Sequence, residues 1–141
     1  ALSESLKDKI KAIYVLIGAK TRDWVLCEED FKKATDQILV STDDGGYGKK
    51  GFVSDVLLDF LENQLTTYNL QLTTIYACGP KAMLKAVAEI AFQKKIDCQL
   101  SMEERMACGV GACLGCAIKT VSGYKMVCKD GPVFETAEIL W

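Results

Sequence analysis

The sequence predicts an α/β fold: an open parallel sheet with helices on both faces, followed by a small cysteine-bearing module that contains a β-hairpin. Two observations indicate this fold. Short continuous apolar runs alternate with helical patterns up to about residue 102, which is the order of βαβ units. Beyond that point the composition changes, and cysteine and glycine become dense. We therefore predict an α/β domain at residues 1–102 and a cysteine-bearing module at 103–141.

Four segments are predicted strands. A strand that is buried on both faces of a parallel sheet takes the form of a short, continuous apolar run. Such runs occupy residues 10–18, 37–42 and 73–78, and residues 97–102 are a weaker fourth candidate.

Three segments have helical patterns, namely the short stretch 27–35, residues 54–65 and residues 79–95. Ser54 is the predicted N-cap of the second helix. Pro80 is predicted at the first position of the third helix, where its missing N–H costs nothing. The second helix has apolar residues at helical spacing, and these predict its buried face: Val56, Leu57, Phe60 and Leu61.

After the cysteine loop come two short strand-like runs within residues 117–128, separated by Ser122 and Gly123. This pattern predicts a β-hairpin.

Composition excludes several classes of function. A formal net charge of -2 and a pI near 5.2 leave no basic patch for nucleic acid or an anionic membrane. No apolar run approaches the roughly 20 residues that span a bilayer, so we expect a soluble, cytoplasmic protein. Histidine is absent, which excludes Cys2His2 zinc sites, Rieske centres and catalytic triads that use histidine.

The seven cysteines fall into two sets. Cys27, Cys78 and Cys98 lie far apart, and we expect Cys27 and Cys98 to be packing residues. An odd number of cysteines with strong clustering argues against a secreted disulfide framework and favours metal binding in a reducing compartment. The clustered set consists of Cys108, Cys113, Cys116 and Cys128.

The clustered set follows the spacing C-x4-C-x2-C, and eleven residues separate the third cysteine from the fourth. This order is the plant-ferredoxin arrangement for a [2Fe–2S] cluster. Gly109, Gly111 and Gly115 suit a loop that must approach a cluster with bare backbone and turn through positive φ. The alternative is a zinc ion that staples a small module, although only Cys113 and Cys116 form a zinc-type knuckle.

Two further segments are candidate cofactor sites. Cys78, Gly79 and Pro80 follow a predicted strand, and ligands of open α/β sheets bind beyond the carboxyl ends of strands; the alternative for Cys78 is a small buried apolar residue. The glycine-rich loop at 41–51 also follows a strand. It could wrap a nucleotide, but it matches neither GxGxxG nor Walker A, and a turn-rich connection is the alternative.

The segments "YACGPKAML", "TDDGGYGKKGFVSDVL" and "SMEERMACGVGACLGCAIKT" with the downstream "YKMVCKDGPVFETAEILW" resemble the electron-transfer subunits of NAD-dependent, type B dihydroorotate dehydrogenase. These subunits belong to the ferredoxin reductase-like flavoproteins. The resemblance implies that the four clustered cysteines ligate a [2Fe–2S] cluster. It also implies that Cys78, Gly79 and Pro80 border the nicotinamide and flavin rings. On the NAD side the resemblance places Asp43, Asp44, Gly45 and Gly46.

The resemblance further implies a function in pyrimidine biosynthesis. A partner subunit that carries FMN oxidises dihydroorotate, and electrons reach FAD and NAD through the cluster. The alternatives are an iron–sulfur subunit of a sulfite reductase or sulfhydrogenase, and a zinc-stabilised binding module without a redox role.

The family pattern begins with a flavin-binding β-barrel and a first strand that this sequence does not contain. We therefore expect the chain to start inside the first helix and to lack the central strand of a sheet ordered 3-2-1-4-5. Such a chain would belong to a longer polypeptide or pair with another copy. It would lack complete activity alone, with FAD and NAD bound by the full-length subunit.

Overall fold

The computed structural model describes residues 12–35, 37–65 and 73–141. The chain divides into two compact units, Ala1–Gln64 and Leu65–Trp141. The first unit contains β1 (Tyr14–Ala19), α1 (Glu28–Lys32), β2 (Gln37–Thr42), β3 (Lys49–Lys50) and α2 (Val53–Asn63). The second contains β4 (Thr74–Cys78), α3 (Lys81–Lys94), β5 (Asp97–Ser101), β6 (Ala117–Thr120), β7 (Gly123–Met126), α4 (Val127–Asp130) and β8 (Val133–Glu135).

The first unit is built on a parallel sheet of order β1-β2-β3. β1 pairs with β2 in register from Tyr14 opposite Gln37 to Ala19 opposite Thr42. The buried face of α2 consists of the four predicted residues, Val56, Leu57, Phe60 and Leu61, so the helical spacing gave the correct face. The ring of Phe60 lies 4.8 Å from that of Tyr14, between centroids, which ties the helix to β1.

The second unit begins with the parallel pair β4 and β5. Between them runs α3, which buries Leu84, Val87, Ala88 and Ala91. β8 then pairs antiparallel with β5, with Leu100 opposite Phe134. A strand from the cysteine-rich part of the sequence therefore completes this sheet.

The predicted hairpin is confirmed: β6 and β7 pair antiparallel around a turn at residues 121–122. Its strand β6 buries Ile118 and Thr120. The chain end returns to the hairpin, because the backbone N–H of Leu140 donates to the carbonyl of Lys119 at 2.9 Å. The strand-like run predicted to extend to residue 128 ends at Met126, and Cys128 lies in the short helix α4 that follows β7.

Two predicted helix starts are wrong. α2 begins at Val53 with Phe52 as its N-cap, so Ser54 lies inside the first turn. The carboxylate of Asp55 takes the capping role, since it accepts the backbone N–H of Phe52 at 3.4 Å. Pro80 is the N-cap of α3 rather than its first residue, because its ψ of 143° is extended and only its carbonyl joins the helix.

The predicted strand boundaries are close to those of the structure. β2 matches residues 37–42, β4 begins one residue late and β5 ends one residue early. β1 runs from Tyr14 to Ala19, so it ends one residue late, and the prediction that Ala12 and Ile13 belong to it is wrong. Residues 10 and 11, and the predicted start of the chain inside a helix, lie outside the described residues. In the described ranges none of the helices has the length and apolar character needed to span a bilayer. The α/β fold with parallel strand pairs is confirmed.

Candidate metal centre

The cysteine loop, residues 102–116, has no regular secondary structure and turns through positive φ at three residues. Gly109 and Gly111 have φ of 69° and 80°, as predicted for glycines in a tight loop. The third residue is Leu114 at 59°, whose side chain points to solvent, and not Gly115. Gly115 instead donates its backbone N–H to the sulfur of Cys113 at 3.4 Å.

The first pair of neighbouring thiols is Cys108 and Cys113. The sulfur of Cys108 accepts the backbone N–H groups of Ala112 at 3.3 Å and of Cys113 at 3.4 Å. The pKa of Cys108 falls to about 6, through the backbone N–H of Val110 first, then those of Cys113 and Ala112 together with the Cys113 thiol. The loop therefore favours a thiolate at Cys108, and the thiolate is the form that binds metal.

The second pair is Cys116 and Cys128. Cys116 is buried at the foot of the loop, and its sulfur accepts the backbone N–H of Cys128 at 3.4 Å. The carbonyl of Cys116 accepts the N–H of Val127 at 3.1 Å, so α4 is attached to the end of the cysteine loop. The pKa of Cys128 is raised, first by the hydrogen bond with the Cys116 thiol and then by burial and by the charges of Cys116 and Cys108.

The two pairs influence each other electrostatically. The charge of Cys108 raises the pKa of Cys128, and hydrogen bonding by the backbone N–H of Gly111 lowers it. In the described ranges, no three Cys, Asp or Glu side chains converge as the ligands of one metal ion would.

The exposed side of the cysteine loop is apolar. Met106, Val110 and Leu114 are all more than half exposed. The sequence from Met106 to Ile118 contains no charged residue. The loop thus combines backbone donors that face the sulfurs with apolar side chains that face outward.

The candidate residues Cys78, Gly79 and Pro80 lie where β4 ends and α3 begins. Cys78 is exposed, so its alternative interpretation as a buried apolar residue is wrong. Gly79 has a φ of 153°, and a Cβ there would lie 2.7 Å from the terminal methyl carbon of Met83. A side chain at position 79 would therefore have to displace the end of the Met83 side chain.

The other two isolated cysteines behave differently from each other. Cys98 is buried in β5, and burial raises its pKa, which confirms its packing role. Cys27 is exposed, with a positive φ of 61° directly before α1, so the prediction that it packs in the core is wrong.

The candidate residues Asp43, Asp44, Gly45 and Gly46 form a loop at the carboxyl end of β2. The buried hydroxyl of Thr42 fixes the loop, since it donates to the carbonyl of Tyr47 at 2.7 Å and accepts its N–H at 3.1 Å. The carboxylate of Asp44 accepts the N–H of Gly46 at 2.9 Å. The carboxylate of Asp43 and the glycine backbone remain exposed at this edge.

Sequence reasoning missed the side chains that brace this loop. The hydroxyl of Tyr47 donates to the carboxylate of Glu28 at 3.0 Å, and the guanidinium of Arg22 lies 5.3 Å from the centre of the Tyr47 ring. Hydrogen bonding to Glu28 raises the pKa of Tyr47. These residues are separated by up to 25 positions and form no local motif, so no sequence signal could have joined them.

Comparison with known proteins gives two family matches. Residues 1–89 match the oxidoreductase NAD-binding domain, and residues 103–140 match the iron–sulfur cluster binding domain of dihydroorotate dehydrogenase B. The first match covers more than half of the chain.

Curated relatives extend this likeness. The electron transfer subunit of dihydroorotate dehydrogenase B (NAD(+)) from Caldanaerobacter subterraneus subsp. tengcongensis is 39% identical over 142 residues, 96% of this chain and 53% of the relative. The Streptococcus mutans subunit of the same name is 42% identical over 134 residues, 90% of this chain and 47% of the relative. The chain thus spans about half the length of the curated relatives it matches.

A solved structure of an NADH-dependent reduced ferredoxin-NADP oxidoreductase contains a chain that is 26% identical. The superposition has a TM-score of 0.79 and covers 99% of this chain and 48% of that one. The chain therefore belongs to the family of oxidoreductase NAD-binding domains, and its residues 103–140 match the iron–sulfur cluster binding domain of dihydroorotate dehydrogenase B.

Proposed function

We propose that this chain is the electron-transfer part of an NAD-linked oxidoreductase of the dihydroorotate dehydrogenase B type. In this proposal Cys108, Cys113, Cys116 and Cys128 hold a [2Fe–2S] cluster. The observation that supports it is the arrangement of the four cysteines in two neighbouring pairs, with backbone N–H groups donating to the sulfurs of Cys108, Cys113 and Cys116. When bound, such a cluster carries one electron at a time, whereas flavins exchange electrons singly or in pairs.

The cysteine loop has two tasks in this function. Its backbone N–H groups, such as those of Ala112 and Gly115, donate to sulfurs that become more negative on reduction, and this stabilises the reduced state. Its exposed apolar side chains, Met106, Val110 and Leu114, suit contact with a partner protein. We assign that partner as an FMN-containing catalytic subunit, which oxidises dihydroorotate to orotate in pyrimidine biosynthesis.

In this proposal the α/β part, residues 1–102, contacts the cofactors that exchange electrons in pairs. Residues 103–141 bind the cluster. In an open α/β sheet, ligands bind at the carboxyl ends of the strands. Asp43, Asp44, Gly45 and Gly46 follow β2 and are assigned to the NAD side, where a carboxylate can accept a ribose hydroxyl. At the end of β4, the nicotinamide and flavin rings are assigned to Cys78, Gly79 and Pro80. FAD and NAD are assigned to the full-length subunit, in the cytoplasm, where thiols stay reduced.

Spectroscopy tests the cluster. Anaerobically purified protein should contain two irons and two acid-labile sulfides per chain. It should absorb visible light and give an electron paramagnetic resonance signal after dithionite reduction. A colourless protein with one zinc ion per chain would contradict the proposal and support a non-redox module.

Two matched variants test the ligand assignment. Cys113→Ser should lose most of the bound iron and the resonance signal, because a serine oxygen replaces one thiolate of the first pair. Cys27→Ser changes an exposed thiol that lies in the other unit, so its iron content and spectrum should equal those of the wild type. Equal iron content in both variants would show that the assignment is wrong.

Purification from the source cells tests the partner. An FMN-containing subunit should co-purify with the protein, and dihydroorotate should reduce the cluster in that complex. If the cluster is reduced instead through a sulfite reductase or hydrogenase core, the proposed partner is wrong while the cluster assignment stands.

A further inference from the structure

The loop that is assigned to the NAD side, residues 43–46, is fixed at both of its ends. At its start, the backbone N–H of Asp43 donates to the carbonyl of Ala19 at the end of β1, at 3.1 Å. Across the loop, the hydroxyl of Thr42 accepts the N–H of Tyr47 at 3.1 Å and donates to its carbonyl at 2.7 Å. The four loop residues themselves are exposed, so they are accessible to a ligand.

The side chain of Tyr47 connects this loop to α1. Its hydroxyl lies 3.0 Å from each carboxylate oxygen of Glu28, the first residue of that helix. The carboxylate of Glu28 also pairs with Lys32 at 3.3 Å, and the Glu28 side chain is only 19% exposed. A hydrogen bond to a carboxylate that is largely withdrawn from water is stronger than a bond between neutral groups at the surface.

The ring of Tyr47 contacts a third segment. The guanidinium carbon of Arg22 lies 5.3 Å from the centre of the ring, within the roughly 6 Å of a cation–π contact. Arg22 lies in the segment that follows β1, whereas Glu28 begins the helix that precedes β2. One tyrosine therefore ties the loop after β2 to both of these segments.

The loop is of a kind that gains from being held. Gly45 and Gly46 are half of its residues, and glycine loses more conformational freedom on ordering than any other residue. Gly45 has a φ of 76°. A ligand that contacts a loose loop must order it on binding, and this weakens the affinity, whereas a loop that is already fixed avoids that cost.

We infer that Tyr47 is a positioning residue for the nicotinamide dinucleotide: through its hydrogen bond to Glu28, it holds residues 43–46 in the conformation that binds the dinucleotide. This inference rests on the proposed function, in which that loop lies on the NAD side. The bond affects how tightly the dinucleotide binds. It leaves the electron-transfer steps unchanged, because Tyr47 acts only through the loop.

The experiment is a calorimetric titration of the full-length holoprotein with NAD+, together with KM and kcat for NADH oxidation by ferricyanide. Tyr47→Phe removes the hydroxyl and keeps the ring beside Arg22. Glu28→Ala removes the acceptor of the same bond. Tyr124→Phe is the matched control, because it removes a hydroxyl from an exposed tyrosine of β7 in the other unit.

We expect Tyr47→Phe to raise the Kd for NAD+ and the KM for NADH about twofold to tenfold, the range that the net strength of one hydrogen bond gives. Its kcat at saturating NADH and its cluster spectrum should equal those of the wild type. Glu28→Ala should also raise the Kd. The double variant should bind no more weakly than the weaker single variant, since both changes remove one bond. Tyr124→Phe should bind like the wild type.

Four results would overturn the inference: an unchanged Kd in Tyr47→Phe, an equal rise in Tyr124→Phe, additive losses of affinity in the double variant, or a Tyr47→Phe protein that circular dichroism shows to be unfolded. The last result would make the hydroxyl a requirement of the fold and not of the loop alone. A wild-type protein that binds neither NAD+ nor NADH would instead contradict the proposed function. The two failures are therefore distinguishable.

Discussion

At the scale of single residues, glycines with positive φ differ in which atoms an added Cβ would contact. Gly48 has a φ of 67°, and a Cβ there would lie 2.2 Å from the backbone oxygen of Val40. Gly123 in the hairpin turn has a φ of 111°, with no atom within 4 Å of such a Cβ. A side chain at position 48 is therefore disfavoured by both the backbone conformation and a steric clash. At position 123 it is disfavoured by the backbone conformation alone.

This contrast predicts different stabilities for two alanine variants. Gly48→Ala must move backbone of β2, so we expect a loss of about 2 to 4 kcal/mol in the free energy of unfolding. Gly123→Ala meets only the conformational penalty, and about 1 kcal/mol is expected. Urea denaturation followed by circular dichroism measures both, and equal losses would contradict the role of the Val40 contact.

The sequence identified the four clustered cysteines because their spacing is a local pattern, and the structure brings their thiols into neighbouring pairs. It could not identify the brace of Glu28 and Tyr47, because these two residues lie 19 positions apart and form no local pattern.

At the scale of elements, α2 is held by an apolar stripe. Phe60 is 5% exposed and contacts the ring of Tyr14 on β1. On α3, Phe92 has 85% of its surface exposed. The same residue type thus occupies a core position on one helix and a solvent position on the other.

Removing these two rings should therefore change the free energy of unfolding by very different amounts. Phe60→Ala should cost about 3 to 5 kcal/mol, since it leaves a cavity between α2 and the sheet. Phe92→Ala should stay within about 0.5 kcal/mol of the wild type. Chemical denaturation of the two variants checks this, and a large loss in Phe92→Ala would show that α3 buries its ring in solution.

A second element-scale contact joins the hairpin to the chain end, through the ion pair of Lys125 and Glu138. The hydrogen bond from Lys125 lowers the pKa of Glu138 below its ordinary value of 4.5. Because the folded-state pKa is the lower one, the stabilisation is present above pH 4.5 and is lost as the pH falls through the folded-state pKa.

The partners of this ion pair are partly exposed, so its contribution should be at most about 1 kcal/mol. Glu138→Gln should be less stable than the wild type at pH 7 by that amount, and the difference should disappear as the pH falls through the lowered folded-state pKa of Glu138. Unfolding curves across this pH range measure the effect. A difference that persists in acid would mean that the ion pair is not its source.

The sequence predicted an element correctly where the period of its apolar residues and its length indicated the same type of element, as in β2 and the buried face of α2. It failed at helix starts, because capping depends on which nearby group reaches the backbone. Asp55 reaches the N–H of Phe52, and Ser54 does not. The pairing of β8 with β5 was also not predicted, since an antiparallel strand after a hairpin has no local signal.

At the scale of the whole molecule, the chain consists of two units that each have a core. Residues such as Phe60 and Leu61 are buried in the first unit, and Leu84, Leu100 and Val127 in the second. The proposed cluster ligands lie in the second unit alone. Removal of the cluster should therefore loosen the second unit and leave the first unit intact.

Hydrogen exchange before and after iron removal tests this division. Amides of β6, β7 and α4 should lose protection, because α4 carries Cys128 and is attached to Cys116. Amides of α2 should exchange at the same rate in both states. Equal loss of protection in α2 would show that the cluster stabilises the whole chain.

Residues 103–131, which include the four clustered cysteines, leave the sheet and return to it at a single neck, where residues 101 and 102 lie beside residues 132 and 133. Ser101 lies opposite Val133, and the backbone N–H of Met102 donates to the carbonyl of Pro132 at 2.9 Å. An insertion whose ends already touch adds little closure entropy, whatever its length. An electron carrier grafted at such a neck can be lengthened, replaced or deleted over evolutionary time while the strands that receive it keep their pairing.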